Sequence, residues 1–163
     1  MSVILAFDQS TTRSGYSVFI NGEYDHSGLV DKHKNKDLQS RFKEMYEGIH
    51  EVIDMEKPSL VVIEDTQMQG GNAAIFKTLC QLQGAIIGMC YAMGIRFYVI
   101  APTQWRAALH FKQGPKVKRE ELKAQSIAFA KKEFGIDKYE DEMEACAICA
   151  AFHRIESDIE IDI

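Results

Sequence analysis

The chain has 163 residues, a hydrophobic fraction of 46% and a formal net charge of −5. That size and apolar content fit one domain, residues 1–163, with a real core. No stretch approaches the roughly 18 unbroken apolar residues of a membrane span, and the short apolar run at the N-terminus has no cationic segment before it, so no signal peptide is expected. A soluble, cytoplasmic protein with no membrane partner is the expectation. The acidic sum argues against a generic nucleic-acid coat, but the charge is uneven. Lysines and arginines crowd Lys112 to Lys132, while acids gather at Glu140 to Glu144 and in a tail, Glu156 to Asp162, that reads as frayed. One basic face on a net-acidic protein can still hold DNA.

Val3 to Phe7 is a continuous apolar run ending at Asp8, the pattern of a strand covered on both faces. Gln9 to Gly15 reads as a hydroxyl-rich turn closed by glycine. Tyr16–Ile20 and Tyr24–Val30 read as two further strands joined at Asn21-Gly22, a strong hairpin signal. Leu38–Met55 has helical spacing in Leu38, Phe42, Met45, Ile49 and Ile53. Ser59–Ile63 is another apolar strand, ending at Glu64-Asp65, and Gln67–Asn72 is a glycine-bearing loop. Ala73–Met93 is a long apolar helix and Arg96–Ile100 a fifth strand. Pro102–His110 reads as a short helix, Lys112–Lys116 as a loop, Val117–Phe134 as a basic amphipathic helix and Tyr139–Arg154 as a last helix. Three strands, helix, strand, helix, strand and helices predict an α/β domain with a five-stranded mixed sheet, three antiparallel and two parallel strands, flanked by helices.

Four cysteines are present, with one CxxC at Cys146 and Cys149. Zinc sites usually add a second pair or histidines, so these read as small buried side chains.

Three acidic signals recur along the chain. Asp8 follows VILAF and Glu64 follows LVVI, so each carboxylate falls at the C-terminal end of a buried parallel strand, where open α/β sheets place their sites. A buried charge there needs a counter-charge. On the last helix Asp141 and Glu144 are three apart and share a face. Met143, Cys146, Ala147 and Ala150 make a mostly small-residue face suited to packing on the sheet. Each signal alone has an ordinary explanation: a helix dipole favours acids in its first turn, an Asp before a turn is often a turn former, and Glu64 could simply face solvent. Together, Asp8, Glu64, Asp141 and Glu144 would form an all-oxygen site suited to Mg²⁺, with Mn²⁺ as a substitute. Four carboxylates can hold two such ions for in-line displacement at phosphorus. Lys112, Lys116, Lys118, Arg119 and Lys123 suit phosphate contacts. Trp105, His110 and Phe111 would either stack on bases or, as such residues more often do, anchor the core.

The segments FDQSTTRSGYSV, VVIED and DEMEACAICAAFH resemble the RuvC Holliday-junction resolvases. GGNAAIFKTLCQLQGAIIGMCYAMGI resembles that family's long helix, and IAPTQWRAALHFKQGPKVKREEL its Pro-x-x-basic segment, loop and lysine. The likeness runs from Val3 to about His153 and looks like that of phage-encoded members, which would act in the host cytoplasm. It implies a ribonuclease H-like fold and structure-selective cleavage of four-way junctions and other branched DNA, with forks and flaps as further candidates. Asp8, Glu64, Asp141 and Glu144 would be metal-binding catalytic residues, Lys118 a lysine steadying the transition state, and Arg106 a cation near the phosphate. It also implies a homodimer through the 73–93 helix, with two sites nicking two strands symmetrically. That helix is apolar most of the way round, which equally suits burial in its own core. Glu144 stands where the family more often has Asp. Thr66, Gln67 and Met68 stand where it often has an aromatic, which implies a broader choice of branched substrates; helicase partners are not implied.

Two other classes share parts of this pattern. Asp8-Gln9-Ser10-Thr11-Thr12 resembles the phosphate turn of actin-like ATPases and sugar kinases, which need a second half that this length excludes. An inactive nucleic-acid-binding module of the same fold is the other, and the presence of all four acids counts against it.

Overall fold

The computed structural model describes residues 1–31, 37–68 and 70–158. Among the described residues the strands β1 (Val3–Asp8), β2 (Arg13–Ile20), β3 (Glu23–Asp31), β4 (Leu60–Glu64) and β5 (Arg96–Ile100) form one sheet in the order β3-β2-β1-β4-β5. β1 is antiparallel to β2 and β2 to β3, whereas β1–β4 and β4–β5 are parallel. The helices are α1 (Leu38–Glu56), α2 (Ala73–Met93), α3 (Pro102–Ala108), α4 (Arg119–Phe134) and α5 (Glu140–Asp158). The mixed sheet and the helix order follow the expectation.

The boundaries move in informative places. β2 begins at Arg13, three residues before the expected start, so Gly15 lies inside the strand opposite Asp8 rather than closing a turn. α4 begins at Arg119 instead of Val117, with Lys118 as its N-cap and the Glu121 carboxylate accepting from the Lys118 N–H. α5 continues to Asp158, so Glu156 is helical rather than frayed; the last residues of the expected tail lie outside the described residues. At the β2–β3 hairpin Asn21 and Gly22 both have positive φ, 52° and 87°, as a two-residue primed turn requires.

Alternation in the central strands sorts the core into two layers. Val3, Leu5 and Phe7 of β1 and Val61 and Ile63 of β4 face α1 and α2, where they bury Met45, Ile49, Ile53, Leu82 and Ile86. Ile4 and Ala6, with Leu60 and Val62, face the other way, against Trp105 of α3 and Ala147, Ile148 and Phe152 of α5. Asp8 and Glu64 continue this second register, so both strand-end carboxylates emerge on the α5 side.

α2 divides its faces. Leu82, Ile86, Met89 and Cys90 are buried, while Ile75, Cys80, Gly84, Gly88, Tyr91 and Ala92 are exposed. Its length and composition match those of a membrane span, although Lys77, Gln81 and Gln83 break its apolar run; here one side seals the sheet and the other is uncovered. The alternative of a helix buried all round in its own core is therefore set aside.

α5 lies flat on β1 and β2 because both sides are cut back. A methyl group on Gly15 would sit 2.0 Å from the Asp141 carbonyl oxygen and 2.6 Å from the Glu142 nitrogen. Deeper in, the Ser17 hydroxyl donates to the Ala145 carbonyl at 2.8 Å. Cys146 and Cys149 are fully buried free thiols. Burial pushes Cys146 up to about 12 and raises Cys149 as well, so both are inert packing groups. Gly15→Ala is expected to force the first turn of α5 off the sheet at a cost of about 1–3 kcal/mol, the range for overpacking. Urea denaturation measures this, and an unmoved midpoint would contradict the close contact.

Candidate active site

Asp8 ends β1, Glu64 ends the neighbouring parallel strand β4, and the first turn of α5 reaches over them from β2. Phe7 pairs with Ile63, so the next residues, Asp8 and Glu64, stand side by side. Asp141 and Glu144 project from one face of α5. Among the described residues Asp8, Asp141 and Glu144 each offer an oxygen within 4.8 Å of the others, a spacing at which they could share a metal ion. Glu64 is not one of that trio. It lines the same cleft, of about 680 Å³, but its Oε2 accepts the Trp105 indole N–H at 2.6 Å.

The electrostatics are those of acids held together against their preference. Burial pushes the Asp8 carboxyl well above its ordinary range, and the charges of Glu144 and Glu64 push it further. Burial raises Glu64 to about 7, against the opposing indole hydrogen bond and Arg106. Asp141 is raised by burial too, partly offset by Lys123 and Arg13. Either protons or a cation must relieve this repulsion. An all-carboxylate oxygen set suits a hard divalent cation such as Mg²⁺ or Mn²⁺, so the residues fit the group that their pattern implies.

The neighbouring acids of α5 do other work. Glu142 is 5% exposed and turns away to accept from the Ser27 hydroxyl at 3.0 Å, with Lys138 at 3.6 Å, tying α5 to β3. Glu140 pairs with Lys123. Asp65, beside Glu64, is held by the Gln83 amide of α2 at 3.1 Å, and the Gln83 oxygen accepts the Thr66 N–H at 2.7 Å. Gln9 donates to the Glu64 main-chain oxygen at 2.6 Å, lacing the ends of β1 and β4 together.

The basic residues separate into groups. Arg119 and Lys123, one turn apart on α4, line the cleft. Lys118 is exposed at the α4 N-cap, and Lys112 and Lys116 are exposed on the preceding loop; none of the three lines the cleft. Arg106 lies beneath, its guanidinium 4.9 Å from the Trp105 ring centre. Trp105 is fully buried with Phe111 edge-on at 5.8 Å, so these two are core anchors and not stacking platforms; His110 is exposed. Sequence reasoning missed Arg41 of α1, which lines the cleft, and the roles of Gln9, Gln83 and Trp105 around Glu64. None of these residues belongs to a local pattern that could have revealed it.

A five-stranded sheet in this order, with carboxylates at the ends of its two central parallel strands and on a closing helix, defines the ribonuclease H-like fold. Within that class, the family model described as crossover junction endodeoxyribonuclease RuvC matches residues 4–125, and the chain belongs to the RuvC family. Among curated relatives of that description, the one from Chlorobium phaeovibrioides is 30% identical over 113 residues, covering 66% of this chain and 59% of the relative. One from Vibrio vulnificus is 36% identical over 91 residues, covering 53% of this chain and 51% of the relative. The chain thus matches little more than half the length of these relatives. Among solved structures, Thermus thermophilus RuvC in complex with a Holliday junction substrate superposes with a TM-score of 0.76 at 16% identity, covering 96% of both chains. The fowlpox virus resolvase in complex with Holliday junction DNA gives 0.58 at 19% identity, covering 97% of both. The family match ends before α5, so the geometry of the fold brings Asp141 and Glu144 to the other acids.

The raised acids predict the pH behaviour of the metal-free protein. Between about 4.5 and about 7 folded Glu64 keeps a proton that the unfolded chain has lost. Stability should therefore fall as pH rises through that window. Mg²⁺ should restore more of it at pH 8 than at pH 5, since it binds the ionised carboxylates. Thermal melting at the two pH values, with and without Mg²⁺, measures this; equal stabilisation at both would contradict a carboxylate metal site.

Proposed function

We propose that the chain is a metal-dependent endonuclease of branched DNA, with four-way junctions its first substrate and forks and flaps cut as well. The observation that carries this reading is the meeting of Asp8, Asp141 and Glu144, from opposite ends of the chain, within 4.8 Å and in one cleft with Glu64. Its substrate class is supported by relatives named for crossover junctions and by neighbours solved with Holliday junction DNA.

Asp8, Glu64, Asp141 and Glu144 are proposed to hold two Mg²⁺ ions, with Mn²⁺ able to replace them. When bound, the ions supply Lewis-acid stabilisation at a phosphodiester and activation of the attacking water. The chain's own residues set the stage. The buried acids align that site against the sheet, so little reorganisation is needed as charge develops. Arg119 and Lys123 meet the scissile phosphate region, with Lys123 leaving Glu140 to do so. Lys118, one residue before Arg119, is proposed to steady the transition state as the DNA closes over the α4 N-terminus. Lys112 and Lys116 contact the flanking backbone, which positions the duplex without reading bases. Arg106 adds positive potential behind Glu64. The uncovered face of α2 is the proposed homodimer surface, giving two sites for paired symmetric nicks; the reaction would take place in the cytoplasm.

Incubation with a four-way junction and Mg²⁺ should yield paired nicks near the branch point; binding without nicking would instead favour an inactive module, and ATP turnover without nicking a kinase-like relative. Glu64→Gln should lower cutting by about 10²-fold or more while junction binding persists in a gel-shift assay. Undiminished cutting would remove Glu64 from the site. Sedimentation should report a dimer at micromolar concentration, and a monomer there would end the symmetric-cut proposal.

A further inference from the structure

Trp105 is the chain's sole tryptophan, and it is fully buried. A buried indole N–H needs an acceptor and usually finds a main-chain carbonyl or water. Here the acceptor is the carboxylate of Glu64, at 2.6 Å, a short hydrogen bond of the charge-assisted kind. The ring cannot follow Glu64 if the carboxylate moves. It packs among Ile4, Val62, Ile100 and Ile148, with Phe111 edge-on and the Arg106 guanidinium above it. The Arg106 Nε is itself buried without a hydrogen-bond partner, and the guanidinium carbon lies 4.9 Å from the indole ring centre. Two cleft acids lie outside the Asp8–Asp141–Glu144 trio: Asp65, which the Gln83 amide holds, and Glu64, whose side chain is tied to the core by this bond.

We infer that Trp105 is a positioning residue for Glu64: its indole N–H fixes one carboxylate oxygen against the core and leaves the other for a cation in the cleft. The inference rests on the metal-dependent reading above. A carboxylate free at both oxygens would swing toward the trio or away from it; a carboxylate tied at Oε2 presents one oxygen along one direction. Partners of this kind, one bond behind a metal ligand, fix its orientation and set affinity. Arg106 reinforces the arrangement by setting positive charge over the face of the same ring. Packing explains Trp105 as a core residue; the short bond to a cleft acid gives it a second task.

Titration of Mg²⁺ alone into the full chain, followed in parallel by calorimetry and by the emission of its sole tryptophan, tests the tether. The emission is expected to change with the same midpoint as the heat. Trp105→Phe keeps a buried aromatic but removes the N–H, and should weaken Mg²⁺ binding about tenfold and lower kcat on a junction while leaving KM unchanged. Phe111→Leu disturbs the same packing but spares the indole bond, and should hold Mg²⁺ affinity within about twofold. If Phe111→Leu weakens Mg²⁺ as much as Trp105→Phe, the residue is packing alone and the tether is overturned. Should Trp105→Phe fail to fold, the unaltered chain decides: heat with silent emission sinks the tether and leaves the nuclease reading standing. Neither heat nor emission change would sink the metal-dependent reading and the tether together.

Discussion

The rest of the site depends on one electrostatic conflict: four carboxylates held close together at the edge of an apolar sheet. Left to themselves the side chains would repel and turn to water. The fold opposes that with contacts that have no charge to lose. Gly15 lets α5 lie directly on β2, Ser17 pins it, Gln9 laces β1 to β4 and the Gln83 oxygen accepts the Thr66 N–H just after Glu64. Each is a neutral hydrogen bond or a close approach, insensitive to the charge state of the acids it positions. The repulsion is thus built into the ground state, where a cation or protons relieve it.

Much of this was legible in the sequence, and for identifiable reasons. The runs VILAF and LVVI announce buried strands, and an acid at the end of each is visible without any structure. Asp141 and Glu144 share a face by helix arithmetic. Asn21-Gly22 announces its hairpin, and both residues have the positive φ that the turn needs. What failed to show was tertiary. Gly15 reads as a turn former because glycine weakens a strand; its reason for being in β2 is a helix that begins 125 residues later. Trp105 reads as either core or stacking platform; its full burial in the fold decides for core, and its bond to Glu64 is visible only in three dimensions. The basic cluster looks like one surface in the sequence. In space Arg119 and Lys123 line the cleft, whereas Lys112, Lys116 and Lys118 stand outside it.

The family match and the geometry of the fold account for different acids of the site. The match covers Asp8 and Glu64 and the segment through the start of α4. The acids of α5 lie beyond it, and the close packing of a small-residue helix on β1 and β2 brings them in. Ala145, Cys146, Ala147 and Ala151 are all fully buried, so the helix backbone can approach the sheet closely enough for Asp141 and Glu144 to overlook Asp8. From that helix the Glu144 side chain brings an oxygen within 4.8 Å of Asp8 and Asp141.

The path of the chain through the trio has a consequence for biosynthesis. Its first member is made at residue 8 and its last at residue 144. A ribosome-bound intermediate can pair β1 with β2 and later with β4, but its strand-end acids wait for the closing helix to be translated and released from the exit tunnel. Until then no complete carboxylate trio exists to bind a cation. On the proposed activity, an unfinished or prematurely terminated polypeptide would therefore be unable to cut chromosomal DNA.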